Sequence, residues 1–106
     1  MAEGKNLEVA LLLDFYGEML TEKQREVIDL YYNQDLSLAE IAQEYQISRQ
    51  GVYDLIHRVT AILEGYEEKL QLVEKFLEVK TKVKEIESCR SLKEAKQAAE
   101  HILELL

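Results

Sequence analysis

The sequence predicts an all-α protein, on three observations. Its 106 residues contain no proline and only four glycines. Leu, Glu, Lys, Ala, Gln and Ile dominate, and most of these lose little rotamer freedom in a helix. No stretch alternates apolar and polar residues long enough to build a sheet. The length suits one domain with a modest core.

The formal charge of −8 favours solubility and argues against nonspecific nucleic-acid affinity, which comes largely from neutralised phosphates. A single cysteine, Cys89, cannot form an intramolecular disulfide and fits a reducing compartment. The chain starts Met-Ala-Glu-Gly-Lys-Asn, without a basic leader region, and its most apolar run, Val9 to Leu13, is too short to span a bilayer. These features predict a cytoplasmic protein that does not insert into membranes.

Asn6 can cap a first helix over about 7–20, in which Val9, Leu12, Leu13, Tyr16, Met19 and Leu20 follow the 3.6 period. Thr21-Glu-Lys-Gln24 has the capping-box pattern and predicts a second helix over about 22–34. Ser37-Leu-Ala-Glu40 repeats that pattern and predicts a short helix ending near Tyr45, after which Ser48 caps a fourth helix. The apolar stripe of the fourth helix, from Val52 through Val59 and Leu63 to Leu77, has no clear stop, so the helix is expected to reach about Glu87 or to break near Gly65 or Val79. Ser91-Leu-Lys-Glu94 starts a last helix over about 92–106. The expected division is a helix plus helix-turn-helix over 1–65 and a helical extension over 66–106, serving as a dimerisation or packing arm of the same domain.

The informative segment is Leu38 to His57, LAEIAQEYQISRQGVYDLIH. A helix-turn-helix needs a small residue where its helices touch, apolar residues filling the shared core, and a cap on the second helix. Ala42 is the small residue; Ile41, Tyr45, Ile47, Val52 and Leu55 are the core; Ser48 is the cap. On the second helix Gln50, Tyr53, Asp54 and His57 lie at i, i+3, i+4 and i+7, on one face. Arg49 and Gln50 sit at the N-terminal end, which reaches base edges in bound proteins of this type. Arginine pairs with guanine and glutamine with adenine. Arg58, and Lys23 or Arg25, are candidate backbone contacts.

The stretch Leu20 to Leu70 resembles the YlxM family of small bacterial helix-turn-helix proteins, and through about Leu63 it is similar to region 4 of sigma-70-type factors, which reads the −35 promoter element. The resemblance covers about half the chain closely; the last thirty or so residues carry little signature. It implies a sigma region 4-like helix-turn-helix bundle with a long C-terminal helical extension. It also implies a DNA-binding regulatory role and an association with the signal recognition particle pathway. Carried over position by position, its reading surface is Ser48, Arg49, Gln50, Tyr53, His57 and Arg58. Two positions depart from the helix-turn-helix pattern: Gln46 stands at a turn often held by glycine, and Gly51 stands where alanine is common.

Charge weighs against this reading. Between Ser37 and Thr60 the bases are Arg49 and Arg58, and the acids are Glu40, Glu44 and Asp54, with Asp54 on the reading stripe itself. A monomer should therefore bind DNA weakly at physiological salt, and a homodimer built on the Val59–Leu77 stripe would double its contacts. The interleaved Glu and Lys beyond Lys69 read as a solvated helix face. No catalytic constellation, metal-ligand spacing or phosphate loop is present in the sequence, so no enzyme activity, metal or cofactor is expected. Two readings remain: a regulator that binds DNA, or alternatively RNA, and an adaptor that contacts the protein or RNA of the signal recognition particle.

Overall fold

A computed structural model of the chain describes residues 7–106. Asn6, the expected first cap, lies outside the described residues. Among those described there are six α-helices and no strand: α1 (Leu7–Tyr16), α2 (Glu22–Tyr32), α3 (Leu38–Tyr45), α4 (Arg49–Leu70), α5 (Leu72–Ser88) and α6 (Leu92–Leu105). The fold is all-α, as the composition predicts. None of these helices is long and apolar enough to cross a membrane.

The helix starts follow local chemistry. Thr21 and Ser37 each complete a reciprocal capping box, in which the side-chain oxygen accepts from the N–H three residues on while that residue's side chain accepts from the cap's own N–H. Ser91 makes the first half of this pattern, accepting from the Glu94 N–H at 3.2 Å. The first helix is shorter than its periodicity suggests. After Tyr16 the chain tightens into a 3-10 turn at Gly17–Met19, which takes Met19 off the buried stripe and leaves it 54% exposed.

The chain divides at Gln71 into two units. In the first, α4 is the central element, and α1, α2 and α3 all pack against it. Tyr16 of α1, Val27 and Ile28 of α2, Ile41 of α3, and Val52, Val59 and Leu63 of α4 are almost wholly buried. Tyr16 still satisfies its hydroxyl by donating to Glu67 at 2.6 Å. The second unit is a hairpin of α5 and α6.

The expected break in the long helix falls elsewhere. Gly65 stays helical, and a side chain there would meet nothing within 4 Å. The interruption comes at Gln71, which takes a left-handed conformation with φ 55° and ends α4. The Val59–Leu77 stripe is consequently not one surface. Val59 and Leu63 are consumed by the core of the first unit, while Leu70 and Leu77 are exposed.

Candidate nucleic-acid interface

The path from α3 to α4 is set by backbone hydrogen bonding. Gln46 adopts the left-handed conformation, φ 56° and ψ 43°. Its N–H reaches the Gln43 carbonyl at 3.4 Å, and the Ile47 N–H reaches the Ala42 carbonyl at 3.1 Å. This is the Schellman arrangement, which satisfies orphan carbonyls at a helix end and reverses the chain. It returns Ile47 to the cluster of Val27, Ile41, Ala42, Val52 and Ile56, where Tyr45 and Leu55 also pack. All six residues expected to form the motif core therefore lie in or against one cluster, with Ala42 small enough to let the helices approach.

A left-handed residue with a Cβ costs about 1–2 kcal/mol, and glycine returns part of that gain, about 0.5–1 kcal/mol, as unfolded-state entropy. Gln46→Gly is accordingly expected to raise stability by about 0.5–1 kcal/mol, measured by urea unfolding. An unchanged or lower midpoint would show that the turn carries no strain.

Ser48 then opens α4, its Oγ accepting from the Gly51 N–H at 2.9 Å. A Cβ at Gly51 would stand 3.1 Å from that Oγ. The glycine thus leaves room for the cap at the position where alanine was the expectation. Unlike α2, α3 and α6, α4 has no acidic residue in its first turn. The positive end of its dipole is left without a carboxylate partner on its own first turn.

Ser48, Arg49, Gln50, Tyr53, His57 and Arg58 are all exposed, Tyr53 at 45%. The stripe is internally paired. The Gln50 side-chain amide donates to Asp54 Oδ1 at 2.9 Å, and the Tyr53 and His57 rings make a tilted contact with centroids 4.2 Å apart at 46°. Arg49 and Arg58 form no ion pair with any described residue. Of the expected backbone contacts, Arg25 lies 3.6 Å from Glu18 in an exposed pair, and Lys23 is exposed on α2.

One brace of the motif comes from a pair nineteen residues apart, which sequence spacing does not reveal. The Tyr45 hydroxyl donates to Glu26 Oε1 at 2.8 Å, tying α3 to α2. Burial, then this hydrogen bond and the Glu26 charge, push the Tyr45 phenol up from 10.0 to about 12. The folded state holds this proton more tightly than the unfolded chain. The contribution is therefore complete below pH 10 and is lost as the pH rises toward 12. Urea midpoints measured across that window should fall more for the wild-type chain than for Tyr45→Phe, and equal slopes would contradict the brace.

Among the described residues no group of His, Cys, Asp and Glu could hold a metal ion. His57 makes its ring contact with Tyr53, and Cys89 ends α5 with its N–H on the Ile86 carbonyl.

Residues 3–103 match the family described as UPF0122, "Putative helix-turn-helix protein, YlxM / p13 like". The chain is 58% identical over 82 residues to a UPF0122 protein of Acetivibrio thermocellus, a match covering 77% of this chain and 70% of that one. It is 60% identical over 70 residues to a UPF0122 protein of Clostridium kluyveri, covering 66% of this chain and 63% of the other. A UPF0122 protein of Halalkalibacterium halodurans is 50% identical over 105 residues, covering 96% and 91%. With its two capped helices joined by a Schellman turn and its match over nearly the whole length, the chain belongs to the UPF0122 family of YlxM / p13-like helix-turn-helix proteins.

Proposed function

We propose that the protein is a cytoplasmic regulator that binds nucleic acid, DNA in the first instance, through the N-terminal half of α4, acting as a homodimer. The observation that carries this reading is the exposed start of α4. Arg49 and Gln50 stand exposed at a helix N-terminus free of first-turn carboxylates, beside Tyr53. Such a terminus attracts phosphate, and the long side chains beside it suit base edges in a major groove. Ser48 and Arg58 flank the surface as phosphate contacts, and His57 extends it.

A second reading is favoured by charge. Residues 1–70 carry fourteen acidic and six basic side chains, so the entire net charge of −8 sits on the part that bears the motif. That imbalance suits an adaptor that contacts a protein, such as a component of the signal recognition particle, better than a tight DNA binder.

Anisotropy titrations with random duplex DNA and with a structured RNA, at low and at moderate salt, separate the two. The first reading expects binding to duplex DNA that weakens with salt and that falls at least about tenfold in Arg49→Ala, the loss of one charge-assisted contact. Absence of binding to either nucleic acid at low salt would reject it in favour of the adaptor.

A further inference from the structure

We infer that the α5–α6 hairpin is a self-association module whose apolar side pairs with the same side of a second copy of this chain. This deepens the homodimer reading above by naming its surface, and it rests on the hairpin alone, whatever α4 binds.

The hairpin spans Gln71–Leu106, and within it only Val73 and Ala98 are buried. A segment below about 40 residues rarely supplies a core of its own and relies on association or a cross-link. The apolar residues that would form such a core are present and partly exposed. On α5, Leu72, Phe76 and Val83 recur in steps of four and seven and share one face. Leu72, Phe76 and Val83 are each more than 40% exposed. On α6, Leu92, Ala99, Leu103 and Leu106 share one face, and Leu92 and Leu103 are each more than 70% exposed.

These two stripes lie on the same side of the hairpin. The half-buried residues Val79 and Ile86 of α5, and Ala95 and Ile102 of α6, mark where the helices touch. With about 100° of turn per residue, the exposed apolar stripe of each helix lies on one flank of that seam. The other flank carries a cleft lined by Thr81, Lys82, Glu85, Gln97 and His101, with Leu77 as its one exposed large apolar residue. The hairpin therefore has one flank that is mostly polar and one that is apolar.

Charge indicates which occupant the apolar side fits. Residues 71–106 carry seven basic and seven acidic side chains, a net charge of zero. Residues 1–70 carry all the excess negative charge, so contact between two copies there is repulsive. Two hairpins can approach each other without that penalty, and a neutral surface offers no long-range attraction to an acidic or a basic partner. An isologous pairing would place four helices around one apolar seam.

Sedimentation equilibrium of the full chain at micromolar concentration, without nucleic acid, tests this. The expected mass is twice 12.3 kDa. Phe76→Glu combined with Leu103→Lys should sediment at 12.3 kDa while keeping the unfolding transition of the helix-turn-helix unit. Thr81→Glu, on the polar side, should retain the doubled mass. A wild-type chain that sediments at 12.3 kDa would overturn the inference and leave the face to a different partner, and so would a doubled mass that survives the Phe76 and Leu103 changes. Neither result bears on nucleic-acid binding by a single α4.

Discussion

Ile41→Ala is expected to destabilise the helix-turn-helix unit by about 3 kcal/mol, the largest effect of any single truncation in the motif. Ile41 is fully buried where α2, α3 and α4 converge, in one cluster with Val27, Val52 and Ile56. Removing three carbons there loses their transfer free energy and leaves a cavity that capped helices on three sides cannot readily close. At about 4–8 °C per kcal/mol for a unit of this size, the melting temperature should fall by roughly 15 °C. Leu103→Ala removes the same volume class from a side chain 73% exposed, and should leave the thermal transition of the helix-turn-helix unit in place. A small loss for Ile41→Ala would mean that α3 does not pack as described. The nucleic-acid interface would then lose part of its support, since the α3–α4 turn and the shared cluster together aim the start of α4.

Asp54→Lys is expected to tighten binding to duplex DNA about tenfold at low salt. Two effects add. Asp54 now holds the Gln50 amide at 2.9 Å, so the substitution frees that side chain for a base edge. It also changes the charge of the reading stripe by two units. At about 7 Å from a phosphate in water, each unit is worth about 0.6 kcal/mol, so two give close to a factor of ten. The salt dependence should steepen by about one, the signature of one more neutralised phosphate. Asp54 is exposed, so the fold should tolerate the change. If the affinity for DNA stays constant while a protein partner is lost, the acidic surface is itself the functional one, as the adaptor reading requires.

The features legible in the sequence are those set by a few neighbouring residues. Capping boxes at Thr21 and Ser37 were readable because both halves lie within four residues. The core positions Ile41, Ala42 and Val52 followed from periodicity, and the exposure of Arg49, Gln50 and Tyr53 followed from the opposite face. The break at Gln71 was not readable, because glutamine carries no stop signal, whereas the glycine that does, Gly65, remains in the helix. Left-handed Gln46 and Gln71 take a conformation that residues with a Cβ disfavour, so their identities give no sign of it in the sequence. The Tyr45–Glu26 brace joins separate helices, and no local pattern encodes it. The Gln50–Asp54 link is different: its i, i+4 spacing is visible in the sequence, but an exposed carboxylate on a helix face shows its charge there and not its partner.

The central claim is that the N-terminal half of α4 is where nucleic acid docks. Amide chemical-shift mapping of the full chain at low salt, with unlabelled duplex DNA added, addresses it residue by residue. The account expects the largest changes between Ser48 and Arg58, with the amides of α1 and of the α5–α6 hairpin nearly unmoved. Changes centred on the hairpin or on α1, with Arg49, Gln50 and Tyr53 unperturbed at saturating DNA, would contradict it.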